Sequence, residues 1–215
     1  MKNGGGIRDQ IGVSYIEGGT NELIQLPPQA NLAVGKEEGD ISELDISNSL
    51  RFDNTLSVAN ISAQGIKDLA EHFVAQWRQG ATPGQFGQIG GFSFSFDPDN
   101  TAIQFTRNSN GLATGVAVAG ERIQNLVLNR PDGTKEVIFS QGEFKVDRNA
   151  TYKMVILDFL ANGGDSYPSF YFENVVKLED LDNPNLPNKA EGLAVAGEQD
   201  ALAEYLAQFY PIEDQ

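Results

Sequence analysis

The sequence predicts an α+β fold, a layered domain of mixed sheets with flanking helices. Many short segments have the alternating or apolar character of strands, whereas only two or three have helical periodicity. Strands and helices do not alternate regularly along the chain, as a doubly wound parallel sheet would require. At 215 residues the chain is long enough for one large domain or two small ones.

The chain opens on a glycine-rich segment, NGGGIRDQ, at Asn3–Gln10. Three glycines beside an amide and an arginine are typical of a strand end whose bare backbone approaches a ligand, since glycine adds no Cβ. Asn3 and Arg8 would be its polar groups. Residues 9–48 are rich in Gly, Pro and acidic residues and only weakly periodic, so we interpret them as a long insertion with short strands at most.

Residues 62–80 predict an amphipathic helix. Its apolar residues recur at helical spacing, with Ser62 as the N-cap and Gly80 as the end. His72 falls off the apolar stripe, so we expect it on the polar face and without a chemical role.

Strands dominate the next part of the chain. Phe92, Phe94 and Phe96 alternate with serines, which predicts a half-buried strand. We expect residues 101–106 to be its partner across the turn at 97–100, and RPDG at Arg130–Gly133 to connect a hairpin.

Tyr152–Leu157 is apolar on both sides and is predicted as a central strand that runs into a second glycine-bearing loop. Residues 183–192 suggest an extended connector. Residues 199–210 predict a C-terminal helix, with acidic residues in its first turn, where the helix dipole favours them.

The composition excludes several classes of function. Thirty acidic against 15 basic residues give a net charge of −15, which argues against binding to nucleic acid or to an anionic membrane. The chain has no cysteine, which excludes disulfides and thiolate chemistry. It has one histidine, which leaves few residues for metal ligation or for a Ser-His-Asp triad. No apolar run reaches the length of a membrane span.

Four segments in this order resemble the C-terminal domain of the 5'-nucleotidase family, which includes UDP-sugar hydrolases and 2',3'-cyclic phosphodiesterases. They are NGGGIR, LRFDNTL, GQFGQIGGFSFSFD and DFLANGGDSY, and the ending GEQDALAEYL fits the same family. The resemblance covers essentially all of residues 1–215 and implies one domain of this type.

The resemblance also implies a nucleotide site. Asn3 and Arg8 match the amide and the arginine of the glycine loop, and Gly91 matches a glycine at which the backbone approaches the ligand. Phe52 and Phe159 match two aromatic residues that clamp the base, Asn54 a polar position near the base, and Asp165 the acid that binds the ribose hydroxyls. Arg51 and Asp53 depart from the commoner proline-phenylalanine-glycine pattern around Phe52.

These residue types suit a nucleotide. Aromatic rings stack on a flat base, a carboxylate accepts two neighbouring hydroxyls, and a guanidinium matches phosphate oxygens. Taken singly, each has a structural alternative, because Phe52 and Phe159 could be core residues, Asp165 could cap a turn, and Arg8 could form a surface ion pair. Their occurrence together in family order favours the site.

The resemblance assigns catalysis elsewhere. In this family a metallophosphatase domain holds two metal ions, whereas residues 1–215 provide neither catalytic residues nor a cofactor site, so we expect this chain alone to be inactive. The resemblance implies a nucleotide or nucleoside ligand, a metallophosphatase partner domain, and an extracellular or periplasmic location. A strand beginning at Asn3 could leave an unpaired sheet edge that a homodimer would cover.

Two alternatives remain open at this stage. The chain could be a stand-alone nucleotide-binding or nucleoside-binding module, or a structural extracellular domain that has lost the site. A metallophosphatase reading frame fused upstream would favour the enzyme over the first alternative. Retention of Phe52, Phe159 and Asp165 weighs against the second.

Overall fold

The computed structural model describes residues 1–81, 83–180 and 197–211. These residues divide into two compact units. The described part of the first unit comprises Met1–Gly5 and residues 55–180, and that of the second comprises Gly6–Asn54 and residues 197–211. Both contain short antiparallel strands with few helices, which confirms the predicted α+β class.

The helices and strands are short. In chain order they are β1 (Lys2–Asn3), β2 (Val13–Ile16), β3 (Leu23–Leu26), α1 (Glu43–Ser49), β4 (Leu56–Ser62), α2 (Ala63–Val74), β5 (Gly87–Gln88), β6 (Phe92–Phe96), β7 (Gln104–Arg107), β8 (Ala113–Val118), β9 (Ile123–Asn129), β10 (Lys135–Ser140), β11 (Glu143–Phe144), β12 (Thr151–Leu157), α3 (Asp158–Ala161), β13 (Glu173–Lys177) and α4 (Glu198–Phe209).

The first unit contains a three-stranded sheet in the order β12-β4-β13 and a four-stranded sheet in the order β11-β10-β9-β6. The predicted central position of β12 is wrong, because β4 lies in the middle and β12 is at the edge. The apolar residues on both sides of β12 misled the prediction, since Val155 on one side is 45% exposed.

The pairing of β6 also differs from the prediction. β6 pairs with β9, whereas β7, which contains half of the expected partner segment, pairs with β8. The RPDG hairpin is confirmed. β9 pairs with β10, and Gly133 has a φ of +83° in the connecting turn.

Helix α2 lies against β4 and β9 and forms the centre of the core. Ser62 caps it as predicted by accepting a hydrogen bond from Gly65 N at 3.0 Å, but the helix ends at Val74 instead of continuing towards Gly80. The expectation that His72 lies on an exposed polar face is wrong, because the polar face of α2 is itself buried. Its buried polar residues are Lys67, Asp68, Glu71 and His72.

Burial of this polar face is compensated by local pairing. Lys67 Nζ forms an ion pair with Glu71 Oε1 at 2.9 Å, and the Glu71 carboxylate accepts backbone hydrogen bonds from Arg122 and Ile123 at 3.1 and 2.9 Å. Buried charges are tolerated when they are paired and hydrogen-bonded. The polar face of α2 therefore fastens the helix to the start of β9.

The second unit contains the β2–β3 hairpin and the helices α1 and α4. The short strands expected within residues 9–48 are present, but α1 was not predicted. Asp45 accepts a hydrogen bond from the Ser42 backbone at 2.8 Å at the start of α1, and Lys36 Nζ lies 2.5 Å from the same carboxylate. Burial raises the pKa of Asp45, but the hydrogen bonds from Lys36 and Ser42 lower it to about 2.

Helix α4 begins one residue before the predicted start and ends one residue before the predicted end. Its first residues bind the segment before β4, with Glu198 N donating to Asn54 O at 2.9 Å and Gln199 Nε2 donating to Leu50 O at 3.0 Å. The connector predicted at 183–192 lies outside the described residues. In the part of the chain that the structure describes, no helix has the length and apolar character needed to cross a membrane.

Candidate functional site

The loop at residues 158–167, here called the Asp165 loop, follows the last residue of β12. Two hydrogen bonds fix its start to β4 and the residue before it, from Asp158 N to Thr55 O at 2.9 Å and from Ser57 Oγ to Asp158 Oδ1 at 3.0 Å. Lys177 Nζ on β13 lies 3.5 Å from the other oxygen of Asp158. All three strands of this sheet therefore contribute to the position of the loop.

Phe159 lies over the glycines of this loop and is 48% exposed. A Cβ added to Gly164 would lie 2.4–2.5 Å from three atoms of the Phe159 ring. Gly164 is thus the residue that lets the ring pack directly on the loop backbone. This exposure argues against the alternative that Phe159 is a core residue.

Asp165 has an exposed side chain and a left-handed backbone, with a φ of +49°. Asn3 Nδ2 donates a hydrogen bond to Asp165 Oδ2. Asn3 is buried and paired with Gly87 in the two-stranded β1–β5 sheet. A rigid amide therefore orients an exposed carboxylate, and the structure brings together two of the predicted site residues that are 162 positions apart.

Two buried rings, those of His72 and Tyr167, pack against each other at the Asp165 loop. His72 Nε2 lies 3.2 Å from the Asp165 carbonyl oxygen, and the His72 ring meets Tyr167 edge-on at 4.9 Å between centroids. The Tyr167 hydroxyl donates to Gln85 O at 3.0 Å, and Gln85 Nε2 donates to His72 O at 2.6 Å. Burial lowers the pKa of His72 to about 4 although the Asp165 carbonyl opposes this shift, so the ring is neutral near pH 7.

The glycines of the opening segment contact the protein's own backbone. Gly4 N donates to Phe86 O at 2.7 Å and Gly5 N donates to Gly84 O at 3.0 Å. A Cβ on Gly4 would lie 3.3 Å from the same Phe86 oxygen. Chain packing therefore accounts for the close approach at these two glycines, which the sequence had suggested would serve a ligand.

The pairing of β1 also bears on the predicted homodimer. β5 covers one side of β1, in a sheet of two strands. A homodimer therefore stays a sequence-based prediction.

Gly91 precedes β6 and has a φ of +84°. It lies on the rim of a cavity of about 500 Å³ whose lining also includes Met1, Phe92, Arg130 and Tyr152. A Cβ at Gly91 would meet no atom within 4 Å, so the left-handed conformation is the observed reason for glycine here.

The remaining predicted residues belong to the second unit. The Arg8 guanidinium carbon lies 5.7 Å from the centroid of the Phe52 ring, which is within the range of a cation–π contact. Phe52 is 59% exposed and is therefore not a core residue. Asp53, where the family often has glycine, has a φ of +44°, a conformation that Asp tolerates better than most side chains.

Asn54 binds the start of α4. Its backbone N and its Nδ2 both donate to Glu198 Oε1, at 3.2 and 2.9 Å. Burial, followed by the charges of Asp200 and Glu198, raises the pKa of Asp53 beside it. The amide nitrogen predicted to lie near the base is thus engaged with the C-terminal helix.

The described residues do not fit a metal pair. Within residues 1–81, 83–180 and 197–211, no three His, Asp or Glu side chains converge in a group that could hold a metal ion. The chemistry that these residues can perform is the binding of hydroxyls by Asp165 and of flat rings by Phe159 and Phe52.

Residues 3–171, a range that includes all seven predicted site residues, match the family described as "5'-nucleotidase, C-terminal domain". The chain belongs to this family. The resemblance first recognised in the two glycine loops is therefore confirmed.

Known relatives agree with this membership. The trifunctional nucleotide phosphoesterase protein YfkN of Bacillus subtilis (strain 168) is 25% identical over 139 residues, which are 65% of this chain and 8% of that protein. The 5'-nucleotidase precursor from Thermus thermophilus superimposes with a TM-score of 0.57 at 21% identity, over 96% of this chain and 28% of the other.

The NAD nucleotidase NadN of Haemophilus influenzae superimposes with a TM-score of 0.53 at 15% identity, over 96% of this chain and 26% of that one. At these identities the two structures establish the fold alone. This chain thus spans a minor part of the length of each of these relatives.

The predicted residues therefore fall into two groups. The first unit holds Asn3, Gly91, Phe159 and Asp165, and the second holds Arg8, Phe52 and Asn54. Sequence reasoning missed His72 and Tyr167 as supports of the Asp165 loop. The sequence feature that could have indicated Tyr167 is its position close after the two glycines of the Asp165 loop. For His72, the helical pattern contains no feature that indicates contact with this loop.

Proposed function

We propose that this chain binds the base and the ribose of a nucleotide on behalf of a 5'-nucleotidase-type phosphoesterase. A metallophosphatase domain outside residues 1–215, with its pair of divalent metal ions, would hydrolyse the phosphate ester. Family membership supports this division of roles.

The observation that carries the proposal is the pair formed by Asn3 and Asp165 beside the Phe159 ring. An exposed carboxylate oriented by a buried amide is suited to accept the two neighbouring hydroxyls of a ribose. Phe159, an exposed ring on the backbone of Gly164, offers a stacking surface for a base within the same loop. The loop thus exposes the Asp165 carboxylate and the Phe159 ring, while Asn3, which orients the carboxylate, is buried.

The two aromatic residues have matching properties. Phe52 and Phe159 are each exposed, as a ring that stacks on a base should be before the ligand enters. Arg8 lies beside Phe52, and a guanidinium group matches the oxygens of a phosphate. By the same family membership, we propose an extracellular or periplasmic location.

Calorimetric titration of the purified chain with adenosine, guanosine, cytidine and uridine tests the proposal. At least one ribonucleoside should bind, and its 2'-deoxy counterpart should bind more weakly because Asp165 loses one hydroxyl donor. If none of the four binds to folded protein, the proposed function is wrong. If a ribonucleoside and its 2'-deoxy form bind equally, the assignment of the ribose to Asp165 is wrong.

A further inference from the structure

His72 is a buried residue that contacts the backbone of Asp165. Its side chain is 4% exposed, and its Nε2 is 3.2 Å from the Asp165 carbonyl oxygen. Because a carbonyl oxygen only accepts hydrogen bonds, this contact requires the proton on Nε2. The neutral ring must therefore be the Nε2-protonated tautomer.

The backbone that receives this hydrogen bond is in an uncommon conformation. Asp165 and Ser166 both have left-handed φ angles, of +49° and +63°. A local hydrogen bond from Tyr167 N to Gly164 O at 3.0 Å closes the turn, and non-glycine residues keep such angles when surrounding contacts also hold them in place. Asn3 binds the side chain of Asp165 and His72 binds its carbonyl group, so the two contacts together define where the carboxylate points.

We propose that His72 is a positioning residue that determines ribose specificity by holding the Asp165 carbonyl group, and with it the left-handed turn that carries the carboxylate, in place. This inference rests on the proposed function, in which Asp165 accepts the ribose hydroxyls. It assigns His72 no contact with the ligand. It also explains why a polar ring is placed on a buried helix at this position.

The surroundings of His72 keep it in this role. The ring packs edge-on against Tyr167 and at 5.8 Å from Phe105, and its pKa is lowered first by burial and then by the positive charge of Arg107. Tyr167 is itself buried and bound to Gln85 O. The donor is therefore neutral and rigidly placed near pH 7.

The test compares His72→Leu, which removes the donor, with His72→Gln, whose side-chain amide can still donate. Gln64→Leu is the matched control, since Gln64 lies on the same helix about 12 Å away along its axis. Dissociation constants are measured by calorimetry for adenosine, guanosine, cytidine, uridine and their 2'-deoxy counterparts.

His72→Leu should reduce the preference for ribonucleoside over deoxynucleoside by about fivefold to tenfold, the value of one hydrogen bond. His72→Gln should retain most of the preference, and Gln64→Leu all of it. A general loss of packing would weaken both sugar types equally, so an unchanged ratio in folded His72→Leu overturns the inference. Failure of the unmodified chain to bind any of these nucleosides would instead contradict the proposed function.

A second measurement keeps the inference testable if His72→Leu does not fold. His72 is the one histidine of the chain, so the imidazole ¹⁵N signals of the unmodified protein all come from His72. We expect the Nε2-protonated tautomer at pH 7. The Nδ1-protonated tautomer could not donate to the Asp165 carbonyl and would overturn the inference.

Discussion

Asp165 is the residue on which the proposed nucleoside site depends most. Its carboxylate is exposed, its backbone is left-handed, and its partners Asn3 and His72 are both buried. Left-handed Asp residues also occur in ordinary turns, and a local hydrogen bond from Tyr167 N to Gly164 O at 3.0 Å closes such a turn here. The contacts from Asn3 and His72, 162 and 93 positions away, add an orientation that is maintained by the fold.

Replacing Asp165 should separate the two sugar types. Asp165→Ala is expected to weaken ribonucleoside binding by about 1.5–3 kcal/mol, the value of hydrogen bonds to a charged acceptor. The 2'-deoxyribonucleoside should lose less because it offers one hydroxyl. Calorimetry measures both, with Asp99→Ala, another exposed acidic residue of the first unit, as the control for charge. Equal losses for the two sugars would mean that Asp165 only shapes the loop.

Phe159 and Phe52 should behave as binding residues and not as core residues. Phe159→Ala and Phe52→Ala are each expected to weaken nucleoside binding by about one to two decades, since stacking contributes about 1–3 kcal/mol per base. Their melting temperatures should change little, because both rings are about half exposed or more.

Phe73 is the matched comparison. It is fully buried, so Phe73→Ala should cost about 3–5 kcal/mol of unfolding free energy. If Phe159→Ala or Phe52→Ala unfolds the protein to a similar extent in thermal melts, that ring is structural and its place in the clamp is wrong.

Among the structural elements, the Asp165 loop links the fold to the candidate site. The end of the three-stranded sheet fixes its start, and the contact between Tyr167 and Gln85 fixes its end. Between these points, Gly164 allows the Phe159 ring to rest on the backbone. The positions of the ring and of the carboxylate are therefore coupled through one glycine.

Gly164→Ala tests this coupling. The added methyl group would lie 2.4–2.5 Å from the Phe159 ring, so either the ring or the loop must move. Nucleoside affinity should fall by about tenfold or more. A displaced Phe159 ring would lose stacking on the base, which contributes about 1–3 kcal/mol, and about 1.4 kcal/mol corresponds to a tenfold change in affinity. Gly90→Ala is the control, since its Cβ would meet no atom within 4 Å. Unchanged affinity in Gly164→Ala would show that the ring is not held by this packing.

Helix α2 should make stability dependent on pH through His72. The folded pKa of about 4 lies below the ordinary value of 6.5, so the unfolded chain binds the proton more readily between these values. This contribution is fully present above pH 6.5 and is lost as the pH falls towards 4. From pH 7 to pH 4.5 the protein should lose roughly 2–3 kcal/mol more unfolding free energy than His72→Phe. Urea denaturation at each pH measures this, and parallel curves would contradict the assignment.

Local patterns predicted the elements whose environment is itself local. The alternation of Phe92, Phe94 and Phe96 gave the strand β6, and the turn residues of RPDG gave the hairpin that follows β9. Long-range pairing was less accessible, because residues 101–106 satisfy the strand pattern equally well beside β6 or β8. α1 was missed although Ser42 and Asp45 have the spacing of a capping box.

The same distinction applies to the site. Family order identified Asn3 and Asp165, and the structure joins them by a hydrogen bond. The helical pattern assigned His72 to solvent because it assumes that a polar face is exposed, whereas the polar face of α2 is buried against β9 and the Asp165 loop. Which element covers a polar face is a tertiary property that periodicity does not contain.

At the level of the complete chain, the seven predicted residues divide between two compact units. The first provides the carboxylate, its amide partner and one exposed ring, and the second provides the other exposed ring with a guanidinium beside it. The chain spans 28% of the Thermus thermophilus relative. The proposal therefore assigns recognition of the nucleoside to this chain and hydrolysis to a domain beyond it.

The most direct test of this recognition is a ¹H–¹⁵N NMR titration of the chain with the ribonucleoside that binds best in calorimetry. The side-chain amide of Asn3 and the backbone amides of Gly164 and Asp165 should shift together and saturably, because ribose and base would contact the residues next to them. The amides of Gly133 and Gly142, in turns outside the Asp165 loop, should not shift. Saturable shifts that leave Asn3, Gly164 and Asp165 unchanged would contradict the account, since the ligand would then bind elsewhere on the protein.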